Sequence, residues 1–324
     1  MRRTPRGALV CVVMAVALAG LDACVPADAI TTVAGYPGMH TQTITSGTST
    51  YSMYWRDTTS TTRGGVMLVH GGAWTGGDRG RFTSEAQHLA DSGYVAATID
   101  YRLADGTALN SWPAQQQSAL AAWRVLRDHA AIYHLDTGRL AIGGESAGGH
   151  IVLATVEAML PTERPSAVVS WSGPTDLGEL MTNPQPTCSG GGECYYYNLL
   201  LTLVQTRLLR CSYAACAGRY SAASPARHLT TMLPPTMQTF FARDIVPGGQ
   251  GSEMDAALRG RGGVSVLNVY PGFGHGATWT PQVWADSVDF LSQYMGTTGI
   301  RSTHPGTDLR QGVTRVPLSE LVGQ

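Results

Sequence analysis

Ser146 lies in the run Gly143-Gly144-Glu145-Ser146-Ala147-Gly148-Gly149-His150, which carries the spacing G-x-S-x-G. In front of it Arg139-Leu140-Ala141-Ile142 has strand character, and behind it Ile151-Val152-Leu153-Ala154-Thr155-Val156 reads as a buried helix. A serine between strand and helix, flanked by glycines, stands on a turn too tight for larger neighbours, and its hydroxyl projects as a nucleophile. A hydroxyl is weakly nucleophilic at neutral pH. It needs a base to take its proton and a carboxylate to orient that base. Two downstream residues fit: Asp244, in Arg243-Asp244-Ile245-Val246-Pro247, and His275, in Tyr270-Pro271-Gly272-Phe273-Gly274-His275-Gly276. Each follows a strand-like run, and acting residues of a doubly wound sheet emerge at strand carboxyl ends. Glu253 and Asp255 are close enough in sequence to compete with Asp244 as the acid. The chemistry of such a set is acyl transfer through an acyl-serine.

Acyl transfer also needs N–H groups aimed where negative charge develops. His70-Gly71-Gly72-Ala73-Trp74 follows the apolar run Val66 to Val69. Gly72 is the expected donor there, with Gly71 or Ala73 as alternatives, and the Ala147 N–H is the expected second donor. Trp74 is expected to line the acyl or alcohol pocket, or else to serve packing. Asp100-Tyr101-Arg102 and Glu145 are expected to brace the site. All 22 basic residues are arginine. A chain without lysine has no Schiff base, no Ser-Lys dyad and no Walker lysine. No cofactor is expected. Metal binding is weakly supported, since no C-x-x-C pair with a nearby histidine occurs.

The elements that must position these residues alternate along the chain. Thr41 to Trp55 reads as edge strands. Val66–Val69, Tyr94–Ile99, Leu140–Gly143, Ala167–Trp171, Thr236–Phe241 and Val264–Val269 read as buried strands. Helices are expected from Phe82 to Ser92, after Pro113, after Ser146 and from Pro281 to Tyr294. Leu120, Trp123 and Leu126 mark one apolar face of the second. Apolar strands alternating with helices predict an α/β fold, a mostly parallel doubly wound sheet of about eight strands.

Leu180 to Ser221 interrupts the rhythm and is expected to form a cap or lid. It carries Cys188, Cys194, Cys211 and Cys216 and three consecutive tyrosines, Tyr195, Tyr196 and Tyr197. Four cysteines in an exported chain suggest two disulfides, in one of three pairings. Export is expected because residues 1–29 carry a basic start, an apolar stretch and Ala27-Asp28-Ala29 as a cleavage site. Leu21-Asp22-Ala23-Cys24 also resembles a lipobox, which would instead anchor the chain through a lipid on Cys24. The catalytic domain is expected over 30–295, followed by a poorly ordered polar tail over 296–324. Net charge is −1, and no basic cluster follows the signal, so nucleic acid is an unexpected partner. Composition says nothing of oligomeric state.

Together H-G-G-A-W at 70–74, D-Y-R-L at 100–103 and G-E-S-A-G-G-H at 144–150 resemble the α/β-hydrolase esterases of the carboxylesterase and hormone-sensitive-lipase-like group. Within it the chain looks like bacterial secreted acetylxylan and feruloyl esterases. The similarity runs from Gly64 to Tyr294, and the order Ser146, Asp244, His275 is the one this fold carries. The resemblance implies metal-independent hydrolysis of small or polysaccharide-linked carboxylic esters. Two departures stand out. Thr239-Phe240-Phe241-Ala242-Arg243 replaces the usual His-Gly before the acid, and the acid loop is one residue short. Ser118 stands where relatives often carry aspartate and is read as structural. A peptidase or amidase on the same fold, formamidase-like for example, and a non-catalytic binding protein are the alternatives.

Overall fold

The computed structural model describes residues 30–46, 49–57, 62–183, 192–276 and 281–296. The expected signal, lipobox and tail, and Cys188, lie outside the described residues. Among the described residues nine strands form one sheet: β1 (Ile30–Thr32), β2 (Met39–Ser46), β3 (Ser49–Arg56), β4 (Arg63–Val69), β5 (Val95–Ile99), β6 (Leu135–Glu145), β7 (Ala167–Trp171), β8 (Thr236–Arg243) and β9 (Ser265–Phe273). Their order is β1-β2-β3-β5-β4-β6-β7-β8-β9. The first three strands pair antiparallel, and β3 joins β5 antiparallel. From β5 to β9 every pairing is parallel. This is the expected mostly parallel sheet of about eight strands, with the short β1 added at its edge.

Nine helices occur among the described residues: α1 (Thr83–Asp91), α2 (Ala114–Asp128), α3 (Ala147–Ala158), α4 (Leu177–Thr182), α5 (Gly192–Leu203), α6 (Tyr213–Ala222), α7 (Pro225–His228), α8 (Gly248–Arg259) and α9 (Pro281–Met295). The parallel strands are buried on both faces, which is why they read as continuous apolar runs. Along β4, Met67 and Val69 point into a core shared with α2 and α3, through Ala122, Trp123, Ile151 and Val152. Val66 and Leu68 point into the opposite core with Phe82 and Leu89 on the α1 side and Val283 and Leu291 of α9.

The interruption and its flanks hold four helices, α4 to α7, the segment expected as a cap. Tyr197 of α5 is buried and donates to the Leu180 carbonyl at 2.8 Å, whereas Tyr195 and Tyr196 are exposed. Cys211 and Cys216 form a disulfide at the start of α6. Cys194 falls on α5, and its side chain lies outside the description, as does any second bridge.

Candidate active site

The strand register brings the carboxyl ends of β4, β6, β7, β8 and β9 to one edge. Val69 pairs with Gly144, Glu145 with Trp171, and Trp171 with Thr239. Ser146 follows β6 directly and caps α3 with φ 52° and ψ −121°. A left-handed φ at a non-glycine residue costs on the order of 1–2 kcal/mol and persists only where the surroundings fix it. Here the Ser146 N–H donates to the Trp171 carbonyl at 2.7 Å, and the His150 N–H donates to the Ser146 carbonyl at 3.1 Å. The start of α3 is pressed onto the end of β4. A Cβ at Gly148 would lie 2.0 Å from the Val69 carbonyl oxygen, so no other residue fits.

Asp244 follows β8 directly, and His275 comes two residues after β9. His275 Nδ1 lies 2.6 Å from Asp244 Oδ1. The same oxygen accepts from the Val246 N–H at 3.0 Å. The other, Oδ2, accepts from Ser172 Oγ at 2.7 Å and from the Phe241 N–H at 3.2 Å. The carboxylate side chain is fully buried, while the imidazole keeps 21% of its surface exposed. The acid is thus sealed, and the ring it orients reaches the surface. The rival acids are elsewhere. Asp255 pairs with Arg259 along α8 at 2.9 Å, and Glu253 faces Arg227 at 3.7 Å.

Ser172 is a site residue that no sequence pattern revealed. It follows β7 directly, is fully buried and has φ 52°. Its Oγ donates to Asp244 and accepts from the Gly276 N–H at 2.9 Å. One hydroxyl therefore ties the acid to the loop that carries His275. The residue before it, Trp171, holds the Ser146 N–H. Through residues 171 and 172, β7 is the spacer between Ser146 and the Asp244–His275 pair.

The loop after β4 turns with φ 114° at Gly72, 50° at Ala73 and 62° at Trp74. Only glycine fits the first position, where a Cβ would approach the Gly76 carbonyl oxygen to 2.2 Å. The Gly72 carbonyl closes the turn by accepting from Thr75 and Gly76 N–H groups, both at 3.0 Å. Gly71 lies over Ser146; a Cβ built there would be 3.2 Å from Ser146 Cβ. Ala147 is the first residue of α3, so its N–H has no acceptor within the helix. His70 anchors the loop from below, its Nδ1 2.7 Å from the Gly71 carbonyl and its ring stacked on Tyr101 at 4.3 Å. Burial lowers the His70 pKa. Trp74 stands differently from the expected pocket wall. It has no exposed surface, and its indole N–H donates to His150 Nδ1 at 3.1 Å. The packing alternative fits this placement.

The expected braces are in place. Asp100 accepts from the Arg79 N–H at 2.7 Å and from its guanidinium at 2.6 Å. Glu145 pairs with Arg81 at 2.9 Å beneath the serine turn. Ser118 Oγ accepts from the Arg102 N–H at 3.2 Å, a structural role. Among the described residues no cluster of three His, Cys, Asp or Glu could hold a metal ion.

A mostly parallel sheet with these loops at its carboxyl edge is the α/β-hydrolase fold. The family model described as BD-FAE matches residues 52–258, more than half of the chain, and the chain belongs to that family. Among curated proteins it is similar to Esterase LipQ of Mycobacterium tuberculosis, 27% identical over 249 residues, 71% of this chain and 55% of LipQ. It is also similar to the probable carboxylic ester hydrolase LipM of the same organism, 27% identical over 52% of this chain and 38% of LipM. The chain spans about half the length of the curated relatives it matches. Its fold matches an esterase/lipase from an uncultured bacterium with a TM-score of 0.63 at 18% identity, over 82% of this chain and 88% of that one. It also matches propionate-bound Est2 of Thermogutta terrifontis, TM-score 0.61 at 20% identity, over 81% of this chain and 97% of that one.

Proposed function

We propose that this protein hydrolyses carboxylic esters through an acyl-serine. The observation that carries the reading is the 2.6 Å pairing of His275 with a sealed Asp244, set two strand ends from a serine on a strained turn. In this mechanism His275 Nε2 takes the Ser146 proton as Oγ attacks the ester carbonyl carbon. Asp244 holds the Nδ1–H tautomer and stabilises the imidazolium. The Gly72-Ala73 backbone and the Ala147 N–H stabilise the tetrahedral oxyanion. The alkoxide leaves with the proton that His275 returns. Water then attacks the acyl-serine by the same route and releases the acid. Named esterase relatives support the substrate class.

The export signal at 1–29 belongs to the same proposal, and the Cys211–Cys216 disulfide supports an oxidising compartment. The decisive experiment is Ser146→Ala assayed on a short-chain p-nitrophenyl ester. Hydrolysis is expected to disappear while the melting temperature holds. Full activity in the folded variant would sink the mechanism.

A further inference from the structure

His150 is four residues beyond Ser146, on the same face of α3 one turn on, and is fully buried. Both ring nitrogens are engaged. The Trp74 indole N–H can only donate, so His150 Nδ1, 3.1 Å away, is the acceptor. The Ala223 carbonyl can only accept, so Nε2, 2.6 Å away, carries the proton. The partners thus dictate one neutral tautomer. Trp74 meets the ring edge-on at 90°, and Trp112 packs beside it with centroids 4.7 Å apart.

The two partners belong to different parts of the molecule. Trp74 ends the loop in which Gly72, Ala73 and Trp74 all have left-handed φ, a conformation that holds only when its surroundings fix it. Ala223 is the residue just past α6, the cap helix that begins beside the Cys211–Cys216 disulfide. Trp112 is itself tied to the cap, its N–H donating to the Leu208 carbonyl at 3.0 Å. One imidazole therefore touches the nucleophile's helix, the loop over the nucleophile and the far end of the cap.

We infer that His150 is a positioning residue that couples the cap to the oxyanion loop. Cap geometry at Ala223 sets the ring, the ring sets the Trp74 indole, and the indole holds the Gly72-Ala73 backbone where the oxyanion forms. The inference rests on the ester-hydrolase reading. It adds that acyl transfer is tuned from the cap by a group that never touches substrate.

His150→Phe keeps the ring and removes both hydrogen bonds. It is expected to lower kcat roughly 10- to 100-fold, the scale of a misplaced oxyanion donor, with little change in KM for a short ester. Trp74→Phe is expected to lose a similar factor, and the double variant no more than either alone. His150→Asn can still accept from Trp74 and is expected to recover most of the lost kcat. His150→Gln reaches toward Ala223 instead and is not. A folded His150→Phe with wild-type kcat overturns the coupling, as do equal Asn and Gln variants. If the variants do not fold, the wild type carries the test. Opening the disulfide with a reductant is expected to speed amide exchange in both 213–223 and 71–77, and a change confined to the cap overturns the inference. Ser146→Ala is run alongside, because its retained activity would refute the ester mechanism and leave the exchange result standing.

Discussion

At the strand-end face, His70, Ser146, Ser172 and Asp244 each directly follow a parallel strand, and His275 is two residues beyond one. Backbone register fixes their spacing, because pairing of β6, β7, β8 and β9 leaves little freedom along the strand direction. The cap is held otherwise. Asp176 caps α4 by accepting from Gly178 and Glu179 N–H groups at 2.8 and 3.0 Å, and its carboxylate is paired with Arg227. Gln250 of α8 accepts from the Thr175 and Asp176 N–H groups, both at 2.8 Å. Ser224 Oγ accepts from the Leu177 N–H at 2.8 Å. A few buried side chains and one disulfide do for the cap what a ladder of backbone bonds does for the site. The difference separates an invariant geometry from one that single substitutions can retune.

The largest expected effect lies at the strand-end face. Asp244→Asn should cost roughly 10³- to 10⁴-fold in kcat, the scale for reversing the tautomer of a catalytic histidine. Asp255→Asn and Glu253→Gln should stay near wild type in the same assay. A loss at either rival with Asp244→Asn unaffected would break the assignment.

The junction between the two regions responds to acid. Burial pushes the His150 pKa down to about 4, against an ordinary value near 6.5 in the unfolded chain. Between these values the unfolded chain binds a proton that the folded one does not. The stability that His150 contributes is therefore full above about pH 6.5 and falls by about 3 kcal/mol as pH drops to about 4. Denaturant titrations across that range should show the slope in wild type and a shallower one in His150→Phe.

Within the cap, Cys211→Ser with Cys216→Ser opens a bridge between residues five apart. The loop-entropy scale puts the loss at about 2 kcal/mol. Thermal melts should record it, while kcat falls far less than in Asp244→Asn. Smallest is Ser172→Ala, expected to lower kcat about tenfold, since three other donors still hold Asp244. A fully active Ser172→Ala would show that register alone aligns the site.

The same contrast governs what the sequence revealed. β7 occupies Ala167–Trp171 as its apolar run predicts, and α9 opens at Pro281. The strand-end positions of Ser146 and Asp244 and the Asp244–His275 pairing were legible because local chemistry and strand-end position coincide. Ser172 was not, because a serine after an apolar strand reads as the start of any loop. Its role depends on β8 and the His275 loop, distant in sequence. α8 carried no sequence signal because it opens on Gly248-Gly249-Gln250-Gly251, where three glycines disfavour a helix. Tertiary bonds from Gln250 override that local preference. Trp74 carried two readings, pocket wall or packing, and its full burial fits the second. Its partner His150 could have been found from spacing alone, one helical turn past the nucleophile.

The parallel order of the sheet has a consequence for how activity is acquired. β9 is an edge strand and the last to be synthesised, yet it delivers His275, while β4 near the start delivers the loop over Ser146. These residues span some two hundred positions, and the contacts that join Asp244 to His275 and Ser146 to Trp171 cross between strands distant in the chain. A nascent or partly refolded chain has Ser146 long before His275. Under the proposed mechanism, ester turnover during refolding should lag helix content and rise only with the β8–β9 pairing, so activity would report completion of the sheet.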